Sequence, residues 1–231
     1  MAQAAHGPLL DALGERIASG ELQPGVVLTL AGLESEYGVS RTVVRETVRV
    51  LEAMGMLESR RRVGLTVRPV NQWNALDSQL IAWQLTGPRR DQQLVVVTEL
   101  RAAIEPVAAR LSATRASDVE RAELTRLADQ LNELGSQGRG DSEEYLRADI
   151  AFHDLILDSS GNLMLAATKS AIAAVISGRS REGLTPPTPH HEALHNHLQT
   201  AAAIARGDAE AAEHHTRRYV DAVLSEVRSL S

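Results

Sequence analysis

Apolar residues recur every three or four positions over most of this chain, and that spacing predicts helices. Leu9, Leu10, Leu13 and Ile17 mark one face of a helix over Pro8 to Ser19, closed by Gly20. Glu21 to Leu28 carries the turn pair Pro24-Gly25. Leu30, Leu33 and Tyr37 predict a second, short helix, and Gly38 supplies the left-handed residue that turns the chain into a third. There Val43, Val44, Val48 and Leu51 face a core, while Arg41, Arg45 and Arg49 fall at i, i+4 and i+8 on another flank. Ser40 stands at the N-cap, so free backbone N–H groups and the positive end of the helix dipole lie beside Arg41, a ready anion site. Leu57-Glu58-Ser59 and Leu65-Thr66-Val67 read as two short strands around the basic tip Arg60-Arg61-Arg62-Val63-Gly64. An arginine flank alone is more often a solvated helix face. Beside a cationic hairpin it predicts a winged helix-turn-helix whose guanidiniums reach phosphates and grooves.

Pro69 to Asn74 reads as a connector, which puts a domain boundary near residue 72. Beyond it the helical spacing predicts helices near Ala75 to Leu85, Asp91 to Thr114, Ser117 to Leu134, Ser142 to Asp158, Asn162 to Ser177, His190 to Ala205 and Asp208 to Ser229. Ser117-Asp118-Val119-Glu120 is a capping box, and Gly135, Gly161 and Gly207 close helices. The predicted fold is mainly α: a winged helix-turn-helix over residues 1–72, then an all-α bundle over 73–231.

A chain of 231 residues, 43% hydrophobic and 23% charged, buries a real core in two modest domains. It contains no cysteine, which excludes disulfides, thiolate zinc sites and thiol nucleophiles. With no long apolar run and no signal-peptide pattern, the expectation is a soluble cytoplasmic protein without a membrane partner. The net charge of -6 argues against DNA only until it is located. From Gly38 to Gln72 the basic residues Arg41, Arg45, Arg49, Arg60, Arg61, Arg62 and Arg68 outnumber Glu46, Glu52 and Glu58, and the acidic surplus lies downstream.

Leu22-Gln23-Pro24-Gly25, Gly38-Val39-Ser40-Arg41-Thr42-Val43-Val44-Arg45-Glu46 and Leu51-Glu52-Ala53-Met54-Gly55-Met56-Leu57-Glu58 closely resemble the winged-helix domain of GntR-type bacterial transcription regulators. The resemblance implies operator contacts from Ser40, Arg41, Thr42, Arg45 and Arg49 and from a wing tip at Arg61, Arg62 and Gly64. The sequence departs from the family at Ala31 and Gly32, where relatives often carry Arg and Glu. Downstream, Glu99-Leu100-Arg101-Ala102-Ala103-Ile104-Glu105, Asp149-Ile150-Ala151-Phe152-His153, Ser160-Gly161-Asn162 and Ile204-Ala205-Arg206-Gly207-Asp208 resemble the all-helical ligand-sensing (FCD) domain of the FadR-like branch. Trp73-Asn74-Ala75-Leu76-Asp77 and Ile81-Ala82-Trp83 are similar to its sugar-acid-responsive, galactonate-type repressors.

Asp149 and His153 lie four apart on a predicted helix, so a carboxylate and an imidazole share one face; the pair is either a hydrogen-bonded structural pair or half of a metal site. The resemblance favours the metal and adds His197. It places the family's last ligand at Tyr219, a phenol and a poor ligand near neutrality. Three arrangements follow: three ligands with positions open to an effector, a site completed by His215, or no metal. The first is preferred, with zinc, manganese or nickel as the divalent ion. His190, His191, His195, His214 and His215 are expected to be surface groups or secondary lining. Arg101 on an apolar helix calls for an anion, either an effector carboxylate or a bundle acid such as Glu105. Asn162 reaches the effector or caps its helix, Tyr219 borders the same space, and Arg179 and Arg181 gate the pocket or are solvated.

The expected function is a homodimeric, ligand-responsive transcriptional repressor on a palindromic double-stranded DNA operator, with a small organic or sugar acid as effector. The alternative is a metal-dependent hydrolase or isomerase built on Asp149, His153 and His197. It lacks a catalytic acid, base or nucleophile at a defined spacing and leaves the arginine rail without a purpose.

Overall fold

The computed structural model describes the backbone of residues 2–230 and the side chains of residues 7–230. It divides into two compact units at Arg90. The first contains α1 (Ala2–Ala18), β1 (Val27–Leu28), α2 (Leu30–Tyr37), α3 (Arg41–Ala53), β2 (Leu57–Arg60), β3 (Gly64–Val67) and α4 (Ser78–Thr86). Thr29 caps α2 by accepting from Gly32 N, and Gly38, at φ 63°, makes the turn that starts α3. Ser40 Oγ accepts from Val43 N at the head of α3. Leu13 and Ile17 of α1, Leu33 of α2 and Val44, Val48 and Leu51 of α3 meet Met56, Leu65 and Val67 in one core.

The sheet has the order β1-β3-β2 and is antiparallel throughout, with Val27 opposite Thr66 and Arg60 opposite Gly64. β1 falls within the stretch that the sequence gives only as a turn. Two residues are too few for a period to register, and pairing with β3 alone makes them a strand.

The break between units differs from the connector expected near residue 72. Trp73 Nε1 donates to Arg68 O at 2.9 Å, Asn74 N donates to Met54 O at 2.8 Å, and α4 lies on α1. Asp11 accepts from both Gln79 Nε2 and Trp83 Nε1, at 2.9 and 3.1 Å. A Cβ on Gly14 would stand 2.3 Å from the Trp83 ring, so the indole fills the notch that this glycine leaves. Gly14→Ala is expected to lower the stability of this unit by about 1–3 kcal/mol, the range for overpacked cores. Chemical unfolding followed by tryptophan fluorescence checks it, and an unchanged midpoint would detach α4 from α1.

The second unit holds α5 (Arg90–Arg115), α6 (Asp118–Ser136), α7 (Glu143–Ser159), α8 (Leu163–Ala166), α9 (Lys169–Arg181), α10 (His191–Ala205) and α11 (Ala209–Arg228). The capping box at Ser117 and Glu120 is present. α10 packs on α6 and α11, and α7 on α6 and α9, around Leu124, Leu131, Phe152, Ile156, Ile172 and Ile204. The single helix expected over Asn162 to Ser177 is split into α8 and α9. At the break Thr168 Oγ1 donates back to Leu165 O at 2.7 Å, a local bond that competes with helix continuation. Among the described residues no helix is long and apolar enough to cross a membrane.

Candidate DNA interface and metal centre

On α3 the buried positions Val43, Val44, Thr47, Val48 and Leu51 alternate with Arg41, Thr42, Arg45 and Arg49, all exposed. The amphipathic period therefore turns the guanidiniums outward. Arg49 Nη1 reaches Glu46 Oε1 at 2.5 Å, an exposed pair that a phosphate can displace at little cost, while Arg41 Nε stands 3.8 Å from Oε1 of the half-buried Glu34. Arg61 and Arg62 form the exposed tip of the β2–β3 hairpin, with Arg62 held at φ 66°. Gly64, expected at the DNA-contacting tip, opens β3 opposite Arg60, directly after the turn of Arg61, Arg62 and Val63. A Cβ there would sit 2.6 Å from Leu28 O, so the close approach of β1 accounts for this glycine.

Inside the second unit, α5, α7, α10 and α11 bring polar groups to one point. Arg101 and Glu105 of α5 and His153 of α7 are almost wholly buried. Arg101 Nε donates to Glu105 Oε1 at 2.5 Å, and Glu105 Oε2 lies 2.9 Å from His153 Nδ1. On the other side of that ring, His153 Nε2 stands 3.4 Å from Asp149 Oδ1, and His197 Nε2 of α10 stands 3.5 Å from the same oxygen. Among the described residues Asp149, His153 and His197 are the group whose donor atoms all lie within 4.8 Å of one another.

Burial works against the charge on Glu105, but Arg101 and then His153 outweigh it and hold the carboxyl at about 2. For His153 burial opposes the proton, Glu105 favours it and Arg101 opposes it. With Asp149 added the carboxylates prevail and push the ring up to about 9. Burial likewise disfavours ionised Asp149, yet the two imidazoles draw it well below the usual carboxylate range.

The geometry fits a divalent cation. Asp149 Oδ1 and His197 Nε2 are buried without a hydrogen-bond partner, a costly condition that a bound ion relieves. Donors about 2.1 Å from a tetrahedral ion stand about 3.4 Å apart, which is the spacing from Asp149 Oδ1 to each imidazole Nε2. His197 Nδ1 faces Ala193 O at 2.9 Å and His153 Nδ1 faces Glu105, so each ring has an outer acceptor and turns Nε2 to the centre, where Arg101 Nη2 also stands 3.3 Å from His153 Nε2 and would have to yield to an ion. Tyr219 of α11 lies against both rings, with centroids at 5.5 Å from His153 and 4.2 Å from His197. Burial, then Asp149, pushes its phenol up, so it stays neutral and is no anionic ligand near neutrality. His215 does not complete the group. Its Nδ1 meets Asn196 Oδ1 at 3.1 Å, and it faces a different cleft.

The centre opens on a cavity of about 70 Å³ lined by Arg101, Tyr145, Asp149, Arg179, Tyr219 and the loop residues Pro186 and Pro189, among others. Arg179 of α9 is 9% exposed; its Nη2 donates to Glu226 Oε2 at 3.0 Å while Nη1 is buried with no partner. By its sequence Arg179 either gates the pocket or is solvated; it is in fact buried. The signal was its place seven after Ile172 and three after Ile176, on the buried stripe of α9. Arg181 is not in the lining. Asn162 is not part of it either: Asn162 Oδ1 accepts from Met164 N at 3.0 Å and caps α8.

A winged helix-turn-helix with an outward arginine rail, joined to a helical bundle with an internal polar centre, defines a DNA-binding regulator with a sensor domain. Residues 9–67 match the profile of bacterial regulatory proteins of the gntR family, and residues 96–222 match the FCD domain. The chain belongs to the FCD-containing gntR family of transcription regulators. It is similar to the galactonate operon transcriptional repressor of Escherichia coli (strain K12), 32% identical over 87% of each chain. It is also similar to the HTH-type transcriptional regulator YieP of the same organism, 34% identical over 72% of each. In fold it resembles Lar of Listeria monocytogenes, with a TM-score of 0.61 at 15% identity over 98% of this chain and 97% of that one. The relatives are transcription regulators, so the hydrolase or isomerase reading falls.

Proposed function

We propose that the protein is a homodimeric, effector-responsive repressor whose winged unit grips a palindromic operator and whose helical unit binds a divalent cation and a small organic or sugar acid. The observation that carries the sensor half is a cavity at which Asp149, whose orphaned Oδ1 faces His153 and His197 behind it, meets the buried guanidiniums of Arg101 and Arg179. Asp149, His153 and His197 would hold the ion, zinc before manganese or nickel given two imidazoles and one carboxylate. Bound there, the ion supplies a Lewis-acidic anchor for an effector oxygen. Arg101 and Arg179 attract the effector's carboxylate, and Tyr219 hydrogen-bonds a hydroxyl. The likeness to the galactonate operon repressor supports a sugar acid as the effector class.

In the operator-binding half Ser40, Arg41, Thr42, Arg45 and Arg49 approach the DNA from α3, and Arg61 and Arg62 from the wing. Coupling runs along α5, because the helix that carries Arg101 begins at the boundary between the units. An effector shifts operator affinity only by its differential binding to two arrangements, commonly about 1–3 kcal/mol.

Arg45→Ala tests the operator half. On a duplex selected from random DNA by the wild-type protein, its affinity is expected to fall by about 1–3 kcal/mol if it reads a base edge. Loss of a phosphate contact would instead lower the slope of affinity against salt by about one. Fluorescence anisotropy at several salt concentrations separates the two, and unchanged binding would rule out the docking of α3. A thermal-shift screen of sugar acids and hydroxy acids, with and without chelator, tests the sensor half. No stabilisation by any of them would refute it.

A further inference from the structure

A second group of imidazoles lies on another face of α10. His191 and His195, four apart, stack with ring centroids at 6.1 Å, and His215 of α11 presents its ring edge-on to His195 at 6.3 Å. With Glu192, Asn196 and Arg218 they line an open cleft of about 310 Å³ between α10 and α11, which shares no residue with the cavity around Arg101 and Arg179. His195 and His197 are two positions apart on the helix, so they project to opposite sides and cannot serve one ion.

Asn196 gives this cleft the marks of a built site. It is 2% exposed, and its Oδ1 stands 3.1 Å from His215 Nδ1. With the amide oxygen accepting, Nδ1 carries the proton and His215 Nε2 keeps its lone pair for a ligand. Asn196 Nδ2 is buried without a partner, and an oxygen held on an ion in the cleft supplies the missing acceptor. The ion pair of Arg218 with Glu192 already ties α11 to α10 beside it.

We propose that His191, His195 and His215 form a second, solvent-open cation site that takes borderline transition ions such as zinc, nickel or copper and rejects magnesium and calcium. The i, i+4 pair supplies two imidazoles from one helix and His215 a third from its neighbour. His191 and His195 are exposed and free to rotate onto the ion. Three neutral nitrogens suit such ions and offer little to hard cations that prefer oxygen. Occupancy would staple α10 to α11, the helices that carry His197 and Tyr219.

The test is equilibrium dialysis of the chelator-stripped, full-length protein against zinc, with metal analysis, for the wild type, His195→Gln and Asp149→Asn. The expected result is two zinc ions per chain in the wild type, one in His195→Gln and one in Asp149→Asn, with no uptake of magnesium at the cleft. His195 is exposed, so its variant should melt like the wild type when stripped of metal. The proposal is overturned if such a variant still takes up as much zinc as the wild type, or if the wild type binds one ion that Asp149→Asn abolishes. A single ion lost only in His195→Gln would support the cleft and refute the buried centre, which keeps the two readings separable.

Discussion

Replacing Arg101 with Met is expected to cost the helical unit about 3–5 kcal/mol, the largest stability loss among the changes considered, because it leaves a carboxylate in the core without its principal counter-charge. Arg101 and Glu105 are each 1% exposed, and Glu105 then keeps only the His153 ring within reach. The double change Arg101→Met with Glu105→Leu should recover much of that loss, since it removes both charges and not one. Arg126→Ala, which breaks a surface pair with Glu123, serves as the control and should stay within about 0.5 kcal/mol. Urea unfolding followed by circular dichroism measures all three. If Arg101→Met unfolds at the wild-type midpoint, the guanidinium is not a buried charge in solution.

The second large effect concerns the cation. His153→Ala removes one of three proposed ligands and should weaken the tight ion by more than about 100-fold, beyond the 10- to 100-fold found for outer-shell changes. Glu105→Gln weakens the outer acceptor of His153 and also takes the counter-charge from buried Arg101, so its zinc affinity, compared on folded protein, should fall inside that smaller range while its stability drops. Zinc retained after extensive dialysis gives the ranking, and His153→Ala should bind operator in the absence of effector as the wild type does. Full retention of tight zinc in His153→Ala would show that this imidazole is not a ligand.

How much of this was legible beforehand depended on whether one local signal was enough. On α3 the apolar period and the arginine period run along the same helix, so its core face and its outward rail could be read together from Val43 to Leu51. α4 shows the limit of that signal. Leu80, Ile81 and Trp83 mark a buried face, but periodicity does not say which neighbour buries it, and the partner proved to be α1. Asp149 and His153 share a face by spacing alone, whereas His197 comes from a distant helix and rested on family likeness. Arg179 and Glu105 are charged residues on apolar stripes, visible in the pattern but interpretable only once their burial and partners were known. β1 and the interruption at Thr168 were hidden because each depends on one or two hydrogen bonds.

The seat of Trp83 against Gly14 also fixes how much chain a free-standing reader head requires. Cut after residue 72, the fragment would carry an open, greasy slot beside Leu9 and Leu13 where an indole belongs, together with an Asp11 stripped of two donors. Such a fragment should be sticky and soft, and extending it to Arg90 should cure both faults.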